Sequence, residues 1–332
     1  MLISIIIPIY NVAPYLQQCL QSVLEQTFSN YEVLLIDDCG QDDSMQICKR
    51  FLDDNHLNDK AWTIIHHDKN RGLSAARNTG IATAKGDYVF FLDSDDTITP
   101  DCMAILSAFV EQENDVDMVV GDYQASDGKP TSCGNHLAEG VYTDELLHLF
   151  LSGQYIVPVW NKLVRLSFIK ENGLYFCDGL IHEDNLWSLQ AACRMKKMAV
   201  TTRVTYNYLI RESSLAHSKN AQIHELNYVK ANIKMAEFVC GDLSLKKNPE
   251  IYHWIEKDRW CRFLTPGWNQ HTDTFGECYK LIRDSAYWSV FDLLCMPFTD
   301  ITKGAWLRAL HVFLPCKLGY RWYVKCYTRF GI

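Results

Sequence analysis

The 332-residue chain lacks the devices by which many domains announce themselves. Gly (17) and Pro (9) are scarce, which argues against a collagen-like chain, long flexible linkers and disorder. None of its 13 Cys pairs as C-x-x-C, and an odd number cannot all be bridged, so neither a zinc site of usual spacing nor a disulfide framework is expected. There is no G-x-G-x-x-G and no Walker A sequence, which weakens a dinucleotide or P-loop reading. No uncharged apolar run reaches the length of about 18 residues that suits a membrane-spanning helix. Met1 to Pro8 is apolar but has neither a basic leader nor a small-residue cleavage site, so it reads as a strand and not as a signal peptide. Scattered free thiols point to a reducing compartment: the cytoplasm, or the cytosolic face of a membrane. Basic charge is also in deficit, with Lys plus Arg at 32 against Asp plus Glu at 40 and a net charge of −8. That composition excludes a general nucleic-acid binder, which needs a basic surface.

What the chain does have is alternation. Short apolar runs at Ile3–Pro8, Glu32–Asp37, Trp62–His66, Tyr88–Leu92 and Asp117–Gly121 read as buried strands. Between them lie helical spacings. Leu16, Cys19, Leu20, Val23 and Leu24 form one stripe behind Pro14, and Met45, Cys48, Phe51 and Leu52 form another. Ser74–Lys85 is an Ala-rich helix ended by Gly86, and Pro100 opens a further one. This pattern predicts an α/β fold with a mostly parallel central sheet, whose ligands bind beyond the carboxyl ends of the strands. Asp37, Asp38, Asp93 and Asp95 all follow strands and so gather at that edge. Residues 126–215 are mixed, and 216–300 read as helical.

The Asp93-Ser94-Asp95-Asp96 run offers two carboxylates at i and i+2 on a strand-end loop. Such a pair can reach one hard cation, with diphosphate oxygens filling its other positions. A solvated acidic turn explains the tripeptide equally well. The surrounding series narrows the choice. Ser4-Ile5-Ile6-Ile7-Pro8-Ile9-Tyr10-Asn11, Val33-Leu34-Leu35-Ile36-Asp37-Asp38, Asn70-Arg71-Gly72 through Ala76-Arg77-Asn78-Thr79-Gly80, and Phe91-Leu92-Asp93-Ser94-Asp95-Asp96 follow in order. Together they resemble the inverting glycosyltransferases of family 2, which have a GT-A fold. Val159-Trp160-Asn161-Lys162-Leu163, Ile181-His182-Glu183-Asp184-Asn185-Leu186-Trp187 and, more loosely, Tyr206 through Ser214 extend the resemblance to about residue 215.

The resemblance implies roles. Pro8, Ile9 and Tyr10 would hold the nucleotide base, and Asp38 would accept a hydrogen bond from a base N–H; helix capping is its competing role. Arg77 would face the nucleotide, or else form an ion pair on an exposed helix face. Asp93 would lie near the ribose, Ser94 would join it in binding the nucleotide sugar, and Asp95 would bind Mn²⁺ or Mg²⁺. Gly72 and Gly80 would serve the turn and close packing. Asp184 would be the general base that takes the acceptor's proton, with Glu183 as its tuning partner or an acceptor contact. At a helix start, the same two acids also suit the helix dipole. Trp160 would form an aromatic wall for a sugar, or pack in the core. Arg211 and Ser214, with Ser213 and His217 near them, would belong to a loop over the diphosphate. His182 is not expected to ligate a metal, because adjacent residues rarely converge on one ion. One base and one metal on opposite sides of the anomeric carbon make a single displacement that inverts configuration. The Gln-x-x-Arg-Trp element of processive synthases is absent, which argues for adding one sugar or a few.

The resemblance divides the chain into a catalytic domain at 1–215 (nucleotide half 1–125, acceptor half 126–215), a helical region at 216–300 and a tail at 301–332. The tail carries Lys303, Arg308, Lys317, Arg321, Lys325 and Arg329 and no acid, interleaved with Trp306, Phe313, Tyr320, Trp322, Tyr323, Tyr327 and Phe330. That mixture suits the headgroups of an anionic membrane, though a helical cap with outward-reaching basic stems reads the same. With the tail's +6 removed from the total of −8, the first 300 residues carry −14. The implied partners are a nucleotide-sugar donor, with UDP-sugar the first choice, and a glycan or lipid-linked acceptor in surface-polysaccharide synthesis. Nucleic acid is not among them. A sugar nucleotidyltransferase would need a Gly-rich basic N-terminal loop, which Asn11 to Tyr15 is not. A non-catalytic scaffold would have no need of both Asp95 and Asp184.

Overall fold

The computed structural model describes residues 1–57, 61–127, 136–211 and 221–246, with shorter pieces beyond. The chain forms two compact units, Met1–His217 and Ser218–Ile332.

The first unit is built on nine strands among the described residues. β1 (Ile3–Ile9) is buried along its whole length, as its unbroken apolar run requires. It pairs in parallel with β2 (Tyr31–Asp37) on one side and β4 (Tyr88–Phe91) on the other, and β2 pairs in parallel with β3 (Trp62–His66). The crossovers are α1 (Ala13–Leu24), α2 (Ser44–Asp54) and α3 (Leu73–Thr83). α1 buries Leu16, Cys19, Leu20 and Val23 behind a proline in its first turn. α2 buries Cys48, Phe51 and Leu52, whereas Met45 is only half-buried. α3 lies close to β1 because residue 80 is glycine: a Cβ there would meet Ile6 Cγ2 at 2.4 Å.

Beyond β4 the chain adds β5 (Thr97–Ile98), α4 (Cys102–Gln112), β6 (Met118–Ala125), β7 (Gly140–Tyr142) and α5 (Leu146–Leu151). Then come β8 (Lys162–Arg165), α6 (Leu166–Glu171), α7 (Glu183–Ala192) and β9 (Met198–Tyr208). The sheet order is β3-β2-β1-β4-β8-β6-β9-β5, with β7 beside β9.

The expectation of a mostly parallel sheet needs correction. β8 runs antiparallel to both β4 and β6, as do β5 and β7 to β9, while β6 and β9 are parallel. Parallel neighbours need a crossover that returns the chain to the same end. The first three connections carry such helices, whereas β8 enters between β4 and β6 from the opposite end. The fold is therefore α/β around a mixed sheet, and the purely parallel part is β3-β2-β1-β4. Because those strands share a direction, the acids that follow β2 and β4 do reach one edge.

In the second unit, α8 (Ala221–Cys240) buries Val229, Asn232, Met235, Ala236 and Val239, one stripe at helical spacing. α9 (Leu243–Lys246) follows, and a single 3₁₀ turn covers Leu310–Phe313. Residues 256–309 and much of the basic tail lie outside the described residues. No described helix is long and apolar enough to cross a membrane.

Candidate active site

The strand that ends at Phe91 hands the chain to a tight acidic turn, in which the Asp96 N–H bonds the Asp93 carbonyl at 3.0 Å. Three carboxylates within four residues repel one another, and the turn is held by outside partners. Tyr206 Oη accepts the Asp93 N–H at 3.3 Å and donates to Asp96 Oδ2 at 2.7 Å. Asp96 Oδ1 accepts the Leu209 N–H at 2.7 Å. Burial, with the charges of Asp93 and Asp95 added, pushes the Asp96 carboxyl up to about 8. Burial and Asp93 also raise Asp95, against the pull of Arg211. The nearby Cys19 thiol is raised well above its ordinary value, first by burial and then by the same acids.

Across from this turn, α7 begins with Glu183 and Asp184. His182 takes a left-handed backbone (φ 65°) and turns the chain into the helix, so both acids stand in the first turn. Asp184 Oδ1 accepts the Asn185 N–H at 2.9 Å. Glu183 is buried, and burial with Asp184 holds its carboxyl above the ordinary range in spite of Arg77.

Arg77, 3% exposed, joins the two halves. Its Nη2 donates to Asp93 Oδ1 at 2.7 Å, its Nη1 to Glu183 Oε1 at 2.5 Å, and its guanidinium lies 5.3 Å from the Phe176 ring centre. Burial opposes the guanidinium's charge, but Asp93 and Glu183 outweigh it and raise its pKa. Arg77 is thus a buried bridge between two carboxylates and not an ion pair on an exposed helix face. It lines a cleft with Asp93, Trp160, Glu183 and Asp184, and its fork braces the acids on both walls.

Trp160 is buried and stacked, not free-standing. Tyr206 lies parallel to it at 4.7 Å and Tyr208 at 5.5 Å, and Tyr123 meets it edge-on at 4.9 Å. Two residues further on, Lys162 is fully buried and donates its Nζ to the Pro158 carbonyl. Burial drives the Lys162 ammonium down to about 7, and Asp184 acts in the opposite sense. Ser188 Oγ bonds the Val157 carbonyl at 2.6 Å, tying the same turn to α7.

The structure separates the residues expected to hold a base. Pro8 and Ile9 have buried side chains, and only Tyr10, 44% exposed, offers its ring to solvent. Asp38 has three partners within the chain. It is buried, its Oδ1 accepts from His67 Nδ1 at 2.7 Å and Arg71 N–H at 2.8 Å, and its Oδ2 accepts the Gly72 N–H at 2.8 Å. It therefore shapes the loop into α3, where Gly72 adopts φ 86°. Ser94 is buried beside the turn. Arg211 reaches Asp95, its Nε 2.6 Å from Oδ2. Ser213, Ser214 and His217 lie outside the described residues.

In the sequence, Asp96, Lys162, Tyr206 and Tyr208 fall within the quoted motifs, but nothing there assigned them a role. Tyr206 and Tyr208 did carry a signal, since alternate residues of a strand share a face. A lysine in a strand gives none, because burial is a property of the neighbours.

Residues 4–173 match the model of Glycosyl transferase family 2. The chain belongs to that family. A glycosyltransferase of Haemophilus influenzae is 41% identical over 214 residues, covering 60% of this chain and 82% of that protein. TarS of Staphylococcus aureus, a poly(ribitol-phosphate) β-N-acetylglucosaminyltransferase, is 28% identical over 254 residues, 75% of this chain but only 42% of TarS. Some relatives are longer still: the match spans 31% of glycosyltransferase GlyA from Streptococcus pneumoniae. The crystal structure of TarS residues 1–349 with UDP-GlcNAc superposes with a TM-score of 0.77 at 18% identity, covering 99% of this chain and 92% of that one. A mannosyltransferase of Pyrobaculum calidifontis, in complex with GDP-Man and Mn²⁺, gives 0.55 at 16% identity, covering 98% and 86%. The GT-A fold expected for this family 2 chain is the fold found.

Proposed function

We propose that this glycosyltransferase inverts the anomeric centre of a nucleoside diphosphate sugar and is metal-dependent, with Asp184 as base. The observation that carries the reading is the cleft in which Asp184 and Glu183 face Asp93 and Arg77, with Trp160 on its wall. Asp184 would take the proton of an acceptor hydroxyl entering along Trp160. Glu183, buried and paired with Arg77, stands beside that base in the first turn of α7. Arg77 fixes the spacing of the two walls by holding Asp93 and Glu183 at once.

The acidic turn fits a divalent ion. Its donors are carboxylate oxygens, as Mn²⁺ and Mg²⁺ prefer, and burial with mutual repulsion makes the added negative charge of Asp95 and Asp96 unfavourable unless a cation answers it. Asp95 would hold the ion, with Asp93 beside it. When bound, such an ion neutralises charge developing on a leaving diphosphate. The complex of TarS with UDP-GlcNAc and that of the mannosyltransferase with GDP-Man and Mn²⁺ support a nucleotide-sugar donor, and UDP-sugar is our first choice. Asp38 would act on the nucleotide through the Arg71–Gly72 loop it shapes, and Tyr10 would offer its ring.

The acceptor we propose is a hydroxyl of a cell-surface glycan or of its lipid-linked precursor, in keeping with the poly(ribitol-phosphate) substrate in the name of TarS. The basic, aromatic tail would hold the enzyme on the cytosolic face of an anionic membrane. Phe313, Leu318 and Trp322 are exposed there among the described residues, which supports that part of the proposal.

The test is a thermal-shift screen of nucleotide sugars with and without Mn²⁺. A true donor stabilises as RT ln(1 + [L]/Kd), and more so with metal. If no nucleotide sugar raises the melting temperature under either condition, the proposal fails.

A further inference from the structure

Asp95 already has a cation. Arg211 Nε lies 2.6 Å from its Oδ2, and the guanidinium stands over the Tyr15 ring at 5.3 Å. The main chain puts it there. The Leu209 N–H is held by Asp96 and the Ile210 N–H by Ser126 Oγ at 3.0 Å, so the segment that carries Arg211 is strapped to the acidic turn itself. The contact is nonetheless imperfect. Arg211 Nε is buried yet makes no aligned hydrogen bond, although it lies so close to the carboxylate. Arg77, by comparison, meets Asp93 and Glu183 with two aligned bonds. A permanent guanidinium–carboxylate pair favours aligned N–H···O bonds of that kind. The Arg211–Asp95 pair has the form of a contact that can be exchanged.

A divalent ion on Asp95 and a guanidinium on the same carboxylate repel each other. We propose that Arg211 occupies Asp95 only in the empty enzyme: it yields the carboxylate to the metal and turns to the donor's diphosphate oxygens. This inference rests on the metal reading of Asp95 given above. Metal and Arg211 then compete while no diphosphate is present and cooperate once it is, because the diphosphate supplies a new anionic partner for the displaced guanidinium. By linkage, each ligand favours the other, so metal and nucleotide enter together.

The test is an electron paramagnetic resonance titration of the full chain with Mn²⁺ alone, with circular dichroism to confirm folding of each variant. Arg211→Ala should bind Mn²⁺ about fivefold more tightly than wild type, the order expected from releasing a partly exposed ion pair. Arg211→Lys, which keeps a competing charge, should stay near wild type, and Asp95→Asn should lose binding. Equal affinity of wild type and Arg211→Ala, with binding lost in Asp95→Asn, overturns the exchange and leaves the metal site standing. Unchanged binding in Asp95→Asn overturns the metal assignment and the exchange with it. A crystal soaked in Mn²⁺ separates displacement from repulsion at a distance. An ion on Asp95 with Arg211 withdrawn supports the proposal, and an ion there with Arg211 still on Oδ2 defeats it.

Discussion

Arg77 and Glu183 are 106 positions apart in the chain and 2.5 Å apart in space. One comes from the helix that follows β3, the other from the first turn of α7. Their contact closes the site, because the same guanidinium also holds Asp93. Breaking it leaves a buried carboxylate without its counter-charge. Arg77→Met should therefore destabilise the first unit by about 3–5 kcal/mol. Urea denaturation followed by tryptophan fluorescence would measure this. A loss below 1 kcal/mol, on the scale of a surface pair, would contradict the bracing role.

Asp184 is the base in our reading and holds no part of the donor. Asp184→Asn should keep donor binding within a factor of about two while turnover falls by about 10²–10⁴. Calorimetry with the donor found by thermal shift, beside a transfer assay, separates the two. Near-normal turnover would sink the assignment.

The acidic turn predicts a pH dependence of stability. The folded Asp96 carboxyl sits at about 8, above its unfolded value, so between about 4 and 8 the folded state binds the extra proton. Stability contributed by the protonated carboxyl is full below the unfolded pKa and is lost as pH rises through 8. The metal-free protein should thus weaken from pH 5 to 8, by at most about 1.4 kcal/mol per pH unit from this group. Asp96→Asn should flatten the slope without abolishing it, because Asp95 and Glu183 are raised too. Denaturation midpoints across that range would check it, and a variant as steep as wild type would refute it.

Removing residues 301–332 should release the protein from anionic vesicles, while neutral vesicles hold neither form. Co-sedimentation with phosphatidylglycerol vesicles at low and high salt measures this. A truncated chain that still pellets would disprove the tail reading.

Much of the fold and part of the site were legible in the chain. The Ile3–Pro8 run is a doubly buried strand because nothing polar but Ser4 interrupts it, and Ser4 donates to Glu32 at 2.7 Å. The order of strands and helices placed Asp93 and Asp95 at one edge, since parallel strands end on the same side. What failed to read were pairings across long separations. The antiparallel entry of β8 depends on which gap the strand fills, and local periodicity is the same in either direction.

The sequence by itself determined the elements, the acidic edge and the family, because these follow from residue spacing along a single stretch of chain. Only the tertiary structure decided who neutralises whom. Arg77 went to Asp93 and Glu183, Arg211 to Asp95, and Asp38 to the loop at Gly72. It also buried Lys162, and burial weakens its charge. The physical reason is common to all four. Charge and burial are set by neighbours brought in from distant segments, and a carboxylate in sequence looks the same whether it meets water, a guanidinium or a metal.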